Sequence, residues 1–185
     1  MSPQHRGVAG SLSNICFDGV LLSRGFWLYV WEILVPDGTR VHYVGKTGDK
    51  ASRACQSPFN RLSNHLGGNK HSNALKRHLS QRKIDPEQCQ FQFHAYGPLF
   101  QEKRKGTHDD LCDITSGLEK ELADAMAEAG YEVVNKIHCR TKGDAEVFEE
   151  VRDAFSSHFD KLLPGSKAAM VRESRVESVR RGTNK

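Results

Sequence analysis

Several polar residues of the types that carry out hydrolytic chemistry follow one another along this chain. They are Tyr29, Tyr43, Lys46, Arg61, His65, Glu119 and Asn135. Hydrolysis of a phosphodiester needs a base to activate water, positive charge on the phosphate and help for the leaving oxygen. A phenol or an imidazole can transfer protons, a guanidinium can bind a phosphate through two N–H groups, and a carboxylate can hold a hard divalent ion. These residue types therefore favour phosphodiester hydrolysis, provided that the fold brings them together.

Both tyrosines lie in apolar segments that have the composition of β-strands. Tyr29 belongs to a predicted strand over 26–35, and Tyr43 belongs to a predicted strand over 40–45. The sequence PDGT at 36–39 is typical of a tight turn, so the two strands are expected to pair antiparallel as a hairpin. Either tyrosine alone could be an ordinary strand aromatic, and the functional interpretation depends on the residues that follow.

The arginine and the histidine lie four residues apart on a predicted helix. Ser57 as N-cap and Pro58 at the first helical position predict where this helix begins, and the glycine pair at 67–68 predicts where it ends. Arg61 and His65 therefore project to one side of the helix. A lone arginine on a helix is usually a surface residue, but this one lies in a segment that has no acidic residue.

That segment, 51–84, contains neither Asp nor Glu, although the net charge of the whole chain is only +4. A basic surface without counter-charge is typical of proteins that bind a phosphate backbone, and the alternative is a solvated helix face. The residues predicted to bind nucleic acid are Arg53, Lys70, Lys76, Arg77, Arg82 and Lys83.

Glu119 is the candidate acidic residue of the site. It follows Leu118 on a predicted helix over 117–129, at the edge of the apolar stripe, where a carboxylate can be partly shielded from water. The alternative is an exposed glutamate near a helix N-terminus, stabilised by the helix dipole. Glu121 points to a different side of the helix and stays open as the alternative metal ligand.

The remaining patterns predict an α+β fold, in which helices flank a small sheet of three antiparallel strands and an amphipathic helix lies at the C-terminal end. The further predicted elements are a basic helix over 73–83, a strand over 90–96, a loop over 100–111, an extended segment over 131–135 and a helix over 144–163. The predicted organisation is an N-terminal arm over 1–24, one domain over 25–137, the C-terminal helix over 138–165 and a disordered basic tail over 166–185.

Length and composition agree with one domain that has small additions. The chain has 185 residues, of which 37% are hydrophobic and 27% are charged. No apolar run reaches the roughly 18 residues that a membrane span needs, and no signal pattern begins the chain, so a cytoplasmic location is expected. The five cysteines are scattered without a CxxC pair, which argues against a disulfide framework and against a zinc site.

In its ordered motifs the chain resembles the GIY-YIG nuclease superfamily over residues 26–136, and the restriction-endonuclease-like branch in particular. The motifs are Trp27-Leu28-Tyr29 (Trp-Leu replaces Gly-Ile), Tyr43-Val44-Gly45 followed by Lys46, the helix residues Arg61 and His65, Glu119 within LEKEL, and Asn135. The resemblance implies a GIY-YIG-like fold for the predicted sheet and helices. In that comparison, the loop over 100–111 is an insertion.

The resemblance also implies a mechanism with a single metal ion. Glu119 would hold Mg²⁺ or Mn²⁺ against the scissile phosphate, and the substrate would complete the coordination. Tyr29 would act as general base, and it would need the nearby cations Lys46 and Arg61 because a free phenol has a pKa of about 10.

The other motif residues have supporting roles in that mechanism. Arg61 would neutralise the charge that grows on the phosphate in the transition state. Tyr43 and His65 would orient water or phosphate, and Asn135 would brace the site.

The expected activity is a metal-dependent endonuclease that cuts double-stranded DNA to leave a 5′-phosphate and a 3′-hydroxyl. A restriction-type enzyme is favoured because the chain is short and lacks an appended recognition module. The alternatives are a repair or homing nuclease, a catalytically silent nucleic-acid-binding module of the same fold, and a protein-interaction domain. Cutting both strands needs two sites or two successive events, and a homodimer would supply two sites.

Overall fold

The computed structural model describes residues 12–50, 55–67, 74–100 and 108–163. The strands are β1 (Phe26–Leu34), β2 (Arg40–Lys46) and β3 (Gln90–Phe100), and the helices are α1 (Pro58–Leu66), α2 (Ala74–Gln81), α3 (His108–Glu128) and α4 (Ala145–Ser156). Short 3₁₀ turns occur at Gly19–Leu22, Pro86–Gln88 and Asp160–Leu162. The predicted α+β fold, a three-stranded antiparallel sheet flanked by helices with a C-terminal amphipathic helix, is confirmed.

β1 is the central strand of the sheet and pairs antiparallel with β2 on one side and with β3 on the other. Its sequence, FWLYVWEIL, is apolar at almost every position because both faces of the strand are covered. On one face, Tyr29 and Trp31 pack with Leu75 and Leu79 of α2. On the other face, Leu28 packs with apolar residues of α3 and α4. The sheet thus has a tyrosine face under α1 and α2, and an opposite face under α3 and α4.

Local capping signals place α1 where the sequence predicts it. The Ser57 side chain accepts a hydrogen bond from the Asn60 N–H at 3.3 Å, and Pro58 is the first helical residue. The helix ends at Leu66, directly before Gly67. Because serine and proline leave few other conformations at a helix start, this boundary could be predicted to the residue.

The prediction of a loop over 100–111 is wrong at both of its ends. Phe100 is the last residue of β3, and α3 begins at His108, well before the predicted start at 117; residues 101–107 lie outside the described part. The Thr115 hydroxyl donates to the Leu111 carbonyl at 2.6 Å, so this polar side chain is satisfied inside the helix. Gly117 is an interior residue of this helix.

A later loop packs closely against α3 at Gly117, and this explains why a side chain is absent there. A Cβ at this position would lie 2.4 Å from the backbone nitrogen of Gly143. The glycine therefore allows the chain before α4 to cross α3 at short range, and it does not mark a helix start.

The predicted C-terminal helix over 144–163 is shorter in the structure. Asp144 caps α4 by accepting hydrogen bonds from the Glu146 and Val147 N–H groups. The helix ends at Ser156, and the chain then turns so that Phe159, which is 2% exposed, enters the core. The predicted tail over 166–185 and the first part of the arm lie outside the described residues. Within the described ranges, no helix has the length and apolar character needed to cross a membrane.

Candidate active site

The two tyrosines of the sequence motifs lie on neighbouring strands and on the same face of the sheet. Tyr29 pairs with Gly45 across the β1–β2 ladder, and Tyr43 pairs with Trp31. Tyr29 is 2% exposed and Tyr43 is 8% exposed. A Cβ on Gly45 would lie 2.5 Å from the Tyr29 hydroxyl oxygen, so the absence of a side chain there allows the phenol ring to lie over β2.

Replacing Gly45 by Ala is expected to destabilise the protein by about 1–3 kcal/mol, because the new methyl group overlaps the Tyr29 ring and forces one of them to move. Urea unfolding measures this free energy. Gly19→Ala is the control, since a Cβ at that position meets no atom within 4 Å. Equal stability of both variants and the wild type would contradict the close approach.

His65 reaches the tyrosine pair from α1. Its Nε2 lies 2.6 Å from the Tyr29 hydroxyl oxygen, and this hydrogen bond is buried. The ring centroid of His65 is 5.6 Å from that of Tyr29 and 5.1 Å from that of Tyr43. The register of the hairpin and the position of His65 on the helix thus bring three of the predicted site residues into contact.

Burial fixes the protonation states of these three groups. It raises the pKa of Tyr29 well above its ordinary value and that of Tyr43 to about 12, while the positive charge of Arg61 opposes the rise at both residues. Burial, followed by the charge of Arg61, lowers the pKa of His65 to about 4. At neutral pH a neutral phenol therefore donates to a neutral imidazole, whose Nε2 is the acceptor and whose Nδ1 carries the hydrogen.

Arg61 is the electrostatic centre of the site. Its charge acts on Tyr29, Tyr43, His65 and Glu119. Its Nε is buried and has no hydrogen-bond partner among the described residues. A buried guanidinium donor without a partner is suited to an anionic ligand.

Glu119, on α3, extends the site from the other side. Its negative charge acts on both tyrosines, and its own pKa is raised to about 7 by burial, against the opposing charges of Lys46 and Arg61. Lys46 also donates a hydrogen bond from Nζ to the Gly48 carbonyl. The carboxyl group therefore interacts electrostatically with two cations and two phenols.

Glu121, the alternative acidic residue, has a different partner. Its Oε1 accepts a hydrogen bond from the Gly143 N–H at 3.1 Å. Its charge is not among those that act on the tyrosines, whereas that of Glu119 acts on both. These electrostatic interactions favour Glu119 as the acidic residue of the site, whereas Glu121 contacts the backbone of Gly143.

Asn135 is bound to the backbone of the outer strand β2. Its Nδ2 donates to the Val44 carbonyl at 2.7 Å, and its Oδ1 accepts from the Val44 N–H at 3.0 Å. These bonds continue the parallel bridge between His42 and Val133. Asn135 thereby fixes the backbone of β2 at Val44, the residue next to Tyr43. This contact braces the strand that carries Tyr43.

The donor set can be compared with what a metal ion requires. Among the described residues, no three His, Cys, Asp or Glu side chains are grouped so that they could hold a metal ion. A tightly held structural ion therefore does not fit this part of the chain. Mg²⁺ commonly uses one or two carboxylates, with water and substrate phosphates as its other ligands. Glu119, whose oxygens accept no hydrogen bond from a described residue, fits that weaker mode.

The predicted nucleic-acid-binding residues differ in their surroundings. Arg82 forms an ion pair with Glu132 at 2.7 Å, and Lys76 donates to the Gly67 carbonyl at 3.4 Å. Arg77 is exposed, and Lys83 follows α2 with a φ of 59°. Arg53 and Lys70 lie outside the described residues.

His78 is a neighbour of the site that the motifs did not single out. Its ring centroid is 5.9 Å from that of Tyr43. The available signal was its spacing, because His78 lies beside the inward residues Leu75 and Leu79 on a short helix.

Comparison with known proteins found no matching family model, no matching curated protein and no matching solved structure. The resemblance to GIY-YIG nucleases therefore depends on the motifs and on the arrangement of their residues.

Proposed function

We propose that this protein is a divalent-metal-dependent endonuclease of the GIY-YIG type, which hydrolyses double-stranded DNA to 5′-phosphate and 3′-hydroxyl ends. The main support is that the buried Tyr29–His65 hydrogen bond lies within the electrostatic reach of Arg61 and Glu119. A pair that transfers protons, a cation for phosphate and an available carboxylate are the components that phosphodiester hydrolysis needs.

Tyr29 would take the proton of the attacking water. Because burial raises its pKa, Tyr29 is not a phenolate at rest, so its own proton must leave as the water proton arrives. The acceptor would be His65 Nε2, at 2.6 Å. The lowered pKa keeps this nitrogen unprotonated at rest, and the negative charge of a bound phosphate would stabilise the imidazolium that forms. This gives His65 a role as proton acceptor, beyond the orienting role that the resemblance implies.

Arg61 would anchor the scissile phosphate. Its Nε is buried without a partner, and a guanidinium can bind phosphate oxygens through two N–H groups in a fixed geometry. The same charge would stabilise the extra negative charge of the transition state. A phosphate paired with Arg61 would also offset the charge that lowers the pKa of His65, which makes His65 a better proton acceptor once substrate is bound.

Glu119 would hold the divalent ion, Mg²⁺ or Mn²⁺. When bound, such an ion would supply Lewis-acid stabilisation to the phosphate and to the leaving 3′-oxygen, which would take its proton from solvent water. Glu119 must be ionised to hold it, and a nearby cation lowers the pKa of a carboxyl group, so the raised pKa of about 7 would fall on metal binding. With a single carboxylate, metal binding is expected to be weak until DNA is present.

The remaining motif residues would support these four. Tyr43, packed on His65, would orient water or phosphate, and Asn135 would keep β2 in place through Val44. Lys46 would help to hold Glu119 ionised. A restriction-type role, a cytoplasmic location and a homodimer that supplies a second site are parts of the same proposal.

Cleavage of supercoiled plasmid tests this function. Wild type, Glu119→Gln and Glu121→Gln are incubated with plasmid and Mg²⁺ or Mn²⁺ between pH 7 and pH 9, with and without EDTA. We expect nicked or linear products from the wild type and from Glu121→Gln, since glutamine can still accept the hydrogen bond from Gly143. We expect none from Glu119→Gln or in EDTA.

Other results would change the assignment. Cleavage that survives in Glu119→Gln would remove Glu119 from the site. Absence of cleavage by the wild type, together with salt-sensitive DNA binding, would instead favour a catalytically silent binding module of the same fold.

A further inference from the structure

A row of four rings leads from the candidate active site to the surface of α2. Tyr29, His65, Tyr43 and His78 follow one another with centroid distances of 5.6, 5.1 and 5.9 Å. The inner end of the row is buried, whereas His78 is only partly buried and its neighbour Arg77 is exposed. The outer end of the row is thus accessible to a ligand at the protein surface.

The outer end of the row carries positive charge that no described residue neutralises. Arg77 makes no hydrogen bond or ion pair with a described residue, and its charge acts on both Tyr43 and His78. Arg82, whose charge also acts on His78, differs because Glu132 forms an ion pair with it. An unneutralised cation beside a site for an anion favours a second anionic group of the same ligand.

We propose that Arg77 and His78 form a second phosphate subsite, which binds a backbone phosphate adjacent to the one that is cleaved. This inference rests on the proposed function, because it requires a nucleic-acid backbone in the site. Arg77 would contribute a permanent charge with paired N–H donors, and His78 a single N–H donor held against Tyr43. The subsite would set the register of the backbone, so that the scissile phosphate meets Arg61.

The contribution of His78 should depend on pH. Burial, followed by the charges of Arg77 and Arg82, lowers the pKa of His78, so it is neutral in the free protein at pH 8. The described groups that pack against it from other elements are Tyr43 and, through that ring, His65, both of them neutral. A bound phosphate acts in the opposite direction, so binding takes up a proton and His78 contributes more at pH 6 than at pH 8.

Duplex binding at several salt concentrations tests the subsite. Fluorescence anisotropy measures affinity for a mixed-sequence duplex in EDTA, at pH 6 and pH 8, for wild type, Arg77→Gln and His78→Phe. Lys161→Gln is the charge-matched control, because Lys161 lies over Tyr131 beside the opposite face of the sheet. We expect Arg77→Gln to lower the salt slope by about one and the affinity by about 3- to 10-fold at both pH values.

We expect His78→Phe, which keeps a ring against Tyr43, to lower the slope by about one at pH 6 and to change it little at pH 8. Arg77→Gln is an exposed substitution, so a loss of binding there cannot be assigned to misfolding. Wild-type slopes in both variants at pH 6 would overturn the subsite while leaving the proposed function intact. Absence of salt-dependent duplex binding by the wild type would remove DNA as the partner, and the subsite with it.

Discussion

Glu119→Gln is expected to make the protein more stable at pH 8, although the same change should abolish cleavage. Burial raises the pKa of Glu119 to about 7, from an ordinary value of 4.5. Between these two values the folded state binds more protons than the unfolded state, so stability falls as pH rises through this window. Glutamine is neutral at every pH and lacks this loss. Because Glu119 is partly exposed, we expect a gain of about 1–3 kcal/mol.

Urea unfolding without metal, at intervals from pH 4 to pH 8, measures this effect. The wild type and Glu119→Gln should be equally stable near pH 4, and the difference should grow until about pH 8. Glu121→Gln is the matched control on the same helix, and it should track the wild type because the Gly143 N–H keeps its acceptor. A difference between wild type and Glu119→Gln that does not change with pH would show that the carboxyl group titrates normally.

Adding metal to the same unfolding experiment tests whether Glu119 binds the ion. Mg²⁺ at pH 8, at a concentration high enough to fill this weak site without DNA, should raise the stability of the wild type, because a ligand that binds only the folded state stabilises it. The Glu119→Gln variant should not respond. A metal response of equal size in both proteins would place the ion at a different residue.

The parts of the fold that were predictable are those set by neighbours in sequence. The PDGT turn at 36–39 and the Ser57-Pro58 helix start each restrict the backbone locally, and both mark element boundaries in the structure. The start of α3 was missed because its signals conflict. Asp109 and Asp110 favour a first turn, but Gly117 suggested a later start and has its cause in a distant loop.

The candidate site also has features that the sequence predicts and features that depend on tertiary packing. The pairing of Tyr29 with Gly45 follows from the hairpin register, so the sequence places both tyrosines on one face. The contact of His65 with Tyr29 depends on how α1 packs on the sheet, and the raised pKa of Glu119 depends on burial. Neither property is local, so the sequence could suggest that these residues act together but not how their protons are arranged.

That arrangement leads to a second prediction with a large effect. Tyr29→Phe should reduce the rate of cleavage by about 10²- to 10⁴-fold, because it removes the group proposed to accept the proton of water. It should also destabilise the protein by about 1–3 kcal/mol, since Nε2 of the buried His65 would lose its hydrogen bond from the Tyr29 hydroxyl. Single-turnover cleavage of plasmid separates the effect on rate from the effect on binding.

His65→Gln distinguishes proton transfer from simple orientation. The glutamine carbonyl can accept the Tyr29 hydrogen bond but cannot keep the proton, so a relay through His65 predicts a loss of about 10²-fold in the single-turnover rate. The double variant Tyr29→Phe/His65→Gln should then be no slower than Tyr29→Phe alone, because the two groups act as one unit. If His65→Gln instead keeps nearly the full rate, the histidine only orients the phenol. Additive losses in the double variant would mean that the two residues act on different steps.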